Sequence, residues 1–288
     1  MPRSAAVDGF RLVYDHTGAG APVVLLHGWP GDRTDYRDVV PLLAGTCRVV
    51  VPDLRGFGAS DRHAPDDARP YSATAQARGV LGLIGELGLE RPVLAGYDIG
   101  SRIAQAVARD HPERVGALVV SPPLPGIGGR ILAPSAQREF WYQPFHQLPL
   151  AGQLLDGNPT AMRAYLHHFW SHWSGPRFTL ARAALDHLVS VYGAPGAFTA
   201  STAWYRAGAG AVAASLTEKP PAREARIPVP TTVLWPEHDP LFPRAWSDRL
   251  DDHFRDVVLE PVDGVGHFVP VEAPERFAEA ILRRTMRD

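Results

Sequence analysis

The sequence predicts an α/β architecture: a mostly parallel central sheet with helices on both faces and a helical cap inserted late in the chain. Three observations carry this. Short continuous apolar runs alternate with helical patterns through the first third of the chain, the rhythm of a parallel sheet covered on both sides. From about Ser121 to Pro221 no such run occurs, and strand signals then return near the C-terminus. At about 150 residues per domain, a chain of 288 residues suits one large domain with an insertion. The boundaries drawn are 1–124 and 222–288 for the two parts of the core, with 125–221 for the cap.

Each element follows from its residues. Pro22-Val23-Val24-Leu25-Leu26 is continuous, branched and flanked by Gly and Pro, as a buried strand is. A helix is expected over about 33–44, then a strand at Arg48-Val49-Val50-Val51-Pro52. Residues 72–88 read as a helix capped by Ser72 despite several glycines. Strands at 92–96 and 115–120 enclose a helix at 101–110. The insertion carries aromatic helical stretches at Glu139–His146 and Ala161–Trp173. Strands at Thr231–Trp235 and Val257–Glu260 follow, with helices around 241–253 and 274–286.

Composition narrows the function. A chain 45% hydrophobic and 21% charged is globular. Twenty-nine basic residues against thirty-one acidic ones leave a net charge of -2, which gives no field for a polyanion and argues against a nucleic-acid partner. The single cysteine, Cys47, excludes an intramolecular disulfide and a Cys-rich metal site, and its apolar context reads as a buried strand. The N-terminus lacks the apolar core of a signal peptide. No apolar run approaches the ~20 residues of a membrane span. A soluble cytoplasmic protein without a membrane partner is the expectation.

Chemistry concentrates in turns at strand ends. Gly96-Tyr97-Asp98-Ile99-Gly100 lies between a strand and a helix, the nucleophile-elbow pattern with aspartate at its centre. Its glycines allow a sharp bend that pushes Asp98 above the strand ends, over the free amides of the next helix. A carboxylate is nucleophilic at neutral pH without a general base. His27-Gly28-Trp29-Pro30 ends an earlier strand. Pro30 has no N–H to give, so the amides of Trp29 and Ile99 are the expected oxyanion donors. Asp239 ends a late strand, with Glu237 a second candidate acid, and His267 follows the last strand. Nucleophile, acid and histidine thus run in the order 98, 239, 267, as on this kind of sheet. Asp53 and Arg55 read as loop-bracing groups, and His238 as a loop residue. The run His167-His168-Phe169-Trp170-Ser171-His172-Trp173 reads as an aromatic helix, with no carboxylate or cysteine placed to complete a metal site.

With these motifs in place, the sequence resembles the α/β-hydrolase superfamily, and within it the epoxide hydrolase and dehalogenase branch, over essentially the whole chain. The resemblance implies the α/β-hydrolase fold, no cofactor, no metal, and a small-molecule substrate, a neutral epoxide. Phe140-Trp141-Tyr142-Gln143 and Ala203-Trp204-Tyr205-Arg206 resemble the cap segments in which epoxide hydrolases carry their ring-opening tyrosines, which assigns Tyr142 and Tyr205 as phenol donors. His27, Trp141, Trp204 and His146 are expected to bind substrate. The dehalogenase alternative shares Asp98 and His267. However, Ile99 stands where haloalkane dehalogenases carry a halide-holding tryptophan, and of the two carboxylate-binding arginines of fluoroacetate dehalogenases only Arg102 is matched. An alternative of another class is a non-covalent cyclase or ligand-binding protein; the set Asp98, Asp239 and His267 argues against it, since a receptor needs no water-activating histidine.

Overall fold

Branched apolar runs become the strands of one sheet: β1 (Tyr14–Thr17), β2 (Ala21–Leu26), β3 (Cys47–Pro52), β4 (Val93–Gly96), β5 (Ala117–Val120), β6 (Thr231–Pro236) and β7 (Val257–Val262). The structure is a computed structural model that describes residues 1–63, 67–208 and 212–286. Strand order is β1-β3-β2-β4-β5-β6-β7. Only β1 runs antiparallel to its neighbour. β4 and β5 are buried at every position, which is why they read as unbroken apolar runs without alternation. Cys47 is buried in β3.

Register brings the strand ends level. Leu26 pairs with Gly96, and Gly96 with Val120. From β2 the chain moves to β3 on one side and then to β4 on the other, so the order reverses between β2 and β4. The crevice at such a reversal, beyond the carboxyl ends of the strands, is where open α/β sheets bind ligands. The loops after β2 and β4 carry Trp29 and Asp98.

Helices α1 (Ala73–Glu86) and α2 (Asp98–Asp110) flank the sheet. Ser72 caps α1 by accepting from Ala75 N. Between β5 and β6 lie helices that include α3 (Tyr142–Gln147), α4 (Pro159–Trp173), α5 (Arg182–Tyr192) and the single turn α6 (Ala203–Arg206). Residues 209–211 of the expected insertion lie outside the described residues. α7 (Pro274–Thr285) closes the chain. Among the described residues no helix is long and apolar enough to cross a membrane.

Two expectations are corrected, and one strand is added. The helix expected over 33–44 is two short pieces, a 3-10 turn at Arg33–Tyr36 and one α-turn at Val40–Leu43. The helix expected around 241–253 is 3-10 in character over Arg244–Asp252 and is kinked at Arg249, whose backbone is not helical. The residues before it form a turn instead, in which Asp239 Oδ1 accepts from the amides of Leu241 and Phe242. β1 was not foreseen: it is four residues long, three of them exposed, and so lacks an apolar signal.

Candidate active site

The turn after β4 is built by steric exclusion. A side chain on Gly96 would reach to 2.7 Å of the Gly100 carbonyl carbon and 2.9 Å of Leu26 O, and one on Gly100 would collide with Leu26 O itself. With that space cleared, Asp98 takes a left-handed backbone, φ 50, at a cost of about 1–3 kcal/mol that the surroundings must offset. Its side chain stands at the start of α2, where amides favour a negative group.

Two groups meet the Asp98 carboxyl, and a third backs one of them. Trp29 N donates to Oδ1 at 2.8 Å. His267 Nε2 lies 3.3 Å from Oδ2. On the far side of the ring, His267 Nδ1 meets Asp239 Oδ2 at 2.8 Å, and Asp239 Oδ1 is held by the Leu241 and Phe242 amides at 2.9 and 3.3 Å. His267 and Asp239 are buried. Burial alone would lower the histidine, but Asp239 first and then Asp98 overcome it and push its pKa up to about 10. The resting site therefore holds an imidazolium between two carboxylates at neutral pH. The Ile99 amide, the second expected donor, makes no hydrogen bond to Asp98 within the described residues; the Ile99 side chain lines the cavity instead.

Above Asp98 opens a cavity with about 440 Å³ of atom-free space, partly open to solvent. Ile127, Ile131, Phe140, Trp204 and Phe242 make its apolar walls; Tyr142, Tyr205, Gln143 and Arg102 are among its polar members. The two tyrosine rings sit 5.7 Å apart, edge to face. Burial, the largest cause in each, pushes both phenols well above their ordinary value; Asp98 adds to both, and Tyr142 adds to Tyr205. They remain protonated and able to donate. Gln143 Oε1 and Arg102 Nε are buried without a hydrogen-bond partner among the described residues.

Several expected substrate contacts fall elsewhere. Trp141 is 41% exposed and packs on Phe169 away from the cavity. His27 is fully buried with both ring nitrogens engaged, Nδ1 on Gly28 O at 2.9 Å and Nε2 accepting from Leu54 N at 3.0 Å, so it braces two loops. His146 lies behind the tyrosines, its ring 4.9 Å from that of Tyr205 and its Nε2 2.9 Å from the Tyr165 hydroxyl. Burial, with Arg206 adding, holds it neutral, well below the ordinary histidine value. Trp204 does line the cavity. Glu237 accepts from Gly264 N at 2.8 Å, leaving the histidine to Asp239. Asp53 accepts from Ala59 within its own loop and from Arg33 in the turn after β2, and Arg55 bonds to Asp8 and Val7 O. His238 is surface-exposed beside Glu237.

One group escaped the sequence reading. Glu272 accepts from the amides of Gly175, Gly266 and Phe268 at 2.7, 2.9 and 3.1 Å. Together with His267 N donating to Trp173 O at 2.7 Å, it pins the histidine loop to the end of α4. Its only signal was a lone carboxylate in an apolar run five residues after His267.

An aspartate at an elbow, a buried histidine–aspartate pair and an amide on the aspartate oxygen, all above the ends of a parallel sheet, define an α/β hydrolase. The chain belongs to the alpha/beta hydrolase fold family, whose model matches residues 21–274. It is 26% identical over 308 aligned residues to a soluble epoxide hydrolase of Corynebacterium sp. (strain C12), covering 97% of this chain and 95% of that one. It is 28% identical over 288 residues to haloalkane dehalogenase 2 of Mycobacterium bovis, covering 95% and 91%. Among solved structures, the epoxide hydrolase CorEH superposes with a TM-score of 0.83 at 25% identity, over 98% of this chain and 96% of that one.

Proposed function

We propose that this hydrolase adds water to an epoxide to give a vicinal diol through a covalent ester on Asp98. One observation carries the reading: a carboxylate and two buried phenols line one apolar cavity, which matches the needs of a reaction that attacks carbon at one end and must protonate oxygen at the other. Asp98 Oδ2 forms a bond to an epoxide carbon as that carbon's bond to the ring oxygen breaks. Tyr205 and Tyr142 hydrogen-bond the departing oxygen, which takes the proton of one phenol and becomes the first hydroxyl, leaving that tyrosine as a phenolate.

The ester then needs water. Its formation removes the Asp98 charge, one of the influences that hold His267 protonated, so His267 gives up its proton, which restores the phenol, and the neutral imidazole can act as base. Oriented by Asp239, His267 takes a proton from water as the water oxygen attacks the Asp98 carbonyl carbon. The Trp29 amide faces Oδ1, where negative charge gathers in the tetrahedral intermediate. Collapse breaks the ester bond, the departing alkoxide takes the second proton of the water from the new carboxyl group, and the diol leaves the Asp98 carboxylate beside an imidazolium.

The test is one turnover in heavy-oxygen water with enzyme in excess. The diol should emerge unlabelled, and heavy oxygen should appear in the peptide containing Asp98. Label in the diol with none in that peptide refutes the covalent route. His267→Gln should accumulate protein heavier by one substrate molecule.

A second reading is favoured by Arg102, which lines the cavity and forms no ion pair among the described residues. It suits the carboxylate of a haloacid, with Asp98 displacing halide. Assaying an epoxide panel beside a haloacid panel separates the two, since halide release with inert epoxides overturns the first.

A further inference from the structure

The loop after β2 is gripped by the insertion at three consecutive residues. Trp170 Nε1 donates to Pro30 O at 3.2 Å, the Tyr192 hydroxyl donates to Gly31 O at 2.7 Å, and His187 Nε2 stands 2.6 Å from Asp32 Oδ2. One residue earlier, Trp29 N reaches Asp98. Only the His187 contact is charged. Asp32 is buried, and its Oδ1 accepts from Thr34 N and Thr34 Oγ1 at 2.8 and 2.6 Å. One oxygen is therefore anchored in the core while the other waits for α5.

Removing the imidazole would leave a buried carboxylate oxygen without its partner, so the loop must shift or admit water. Trp29 is three residues away along the same bend. We propose that His187 is a positioning residue: paired with Asp32, it clamps residues 29–32 to the insertion and keeps the Trp29 amide on the Asp98 oxygen that becomes the ester carbonyl. The proposal rests on the covalent reading above. A clamp of this kind acts on one half of the cycle. Ester hydrolysis builds charge on the oxygen that Trp29 N faces, whereas alkylation disperses charge from the carboxylate, so hydrolysis is the step that feels a displaced donor.

The surrounding charges agree with a protonated clamp. The bond to Asp32 raises His187, with burial and Arg33 opposing and Asp53 assisting. Burial acts to raise Asp32, but His187 and Thr34 bring it down to about 2. Asp35, Asp53, Tyr192 and His27 are the further titratable groups that interact with Asp32. Since His187 is raised, the clamp is complete below its ordinary value of 6.5 and weakens as pH rises through the raised one.

Rapid mixing on the full chain, with alkylation and ester hydrolysis followed separately, tests this. His187→Ala should slow hydrolysis about tenfold or more, given that donor misplacement of roughly 1 Å can cost ~100-fold, while alkylation changes less than about twofold. Asp32→Asn, close in shape, should show the same split if the alanine variant folds poorly. His187→Lys keeps a cation across the pH range and should restore hydrolysis while removing the wild-type decline at alkaline pH. Equal slowing of both steps, or lowered thermal stability with both rates intact, overturns the clamp. If His267→Gln never gains substrate mass, the covalent reading itself has failed and the clamp falls with it.

Discussion

Asp98→Asn removes the charge that alkylation would remove, without any substrate, and so isolates the switch proposed for His267. The imidazole Nε2 lies 3.3 Å from Asp98 Oδ2. At an effective dielectric constant of about 20, unit charges at that distance attract by roughly 5 kcal/mol. At about 1.4 kcal/mol per pKa unit, the upper limit is between 3 and 4 units. Relaxation of the pocket and the asparagine dipole recover part of it. The variant's histidine should therefore titrate about 2–3 units below the wild-type value near 10. Asp239 remains at 2.8 Å and keeps the ring oriented. NMR titration of carbon-labelled histidine, with His267→Gln assigning the resonance, reads the shift directly. The sign also fixes a stability profile. A raised histidine contributes stability that is full below its unfolded value of 6.5 and is lost as pH rises through the folded one, so the variant should lose that contribution at lower pH. An imidazole that titrates at the same pH in both proteins would refute the reasoning.

Replacing both phenols, Tyr142→Phe with Tyr205→Phe, should reduce epoxide opening by about 10²–10⁴-fold, the usual worth of a positioned acid, and each single change by less; stopped-flow alkylation measures it, and unchanged rates would remove the case for epoxides. Gly100→Ala puts a methyl group against Leu26 O and should lower unfolding free energy by about 1–3 kcal/mol or more, read from urea denaturation. Asp32, brought from 3.8 to about 2, contributes roughly 2 kcal/mol at neutral pH. Asp32→Asn should lose that amount, and the gap between the two proteins should close as pH falls through 2.

The parts legible in the sequence are those fixed by a few adjacent residues. Gly96 and Gly100 are required by contacts within one turn, and Asp239 and His267 sit just past strands that betray themselves by branched apolar runs. Helix phase was not legible. Trp141 and Tyr142 are neighbours and so point about 100° apart on a helix; only Tyr142 can face the cavity, and Trp141 is left outside. His146 is four residues on and shares the tyrosine's face, but it stands one turn behind. The grip of His187 on Asp32 joins residues 155 apart, and nothing local announces it. The second oxyanion amide was expected from the turn pattern alone, which does not fix how the carboxylate rotates.

Trp29 is shared property. Its amide bonds the Asp98 carboxylate, while its indole meets Tyr142, His146, Tyr165, Phe169, Trp173 and Tyr205, all contributed by the segment between β5 and β6. A chimera that transplants that segment from a relative would set foreign rings against this indole and shift the amide beneath it. Reprogramming selectivity by segment exchange therefore requires residue 29 and its six ring neighbours to travel as one cassette.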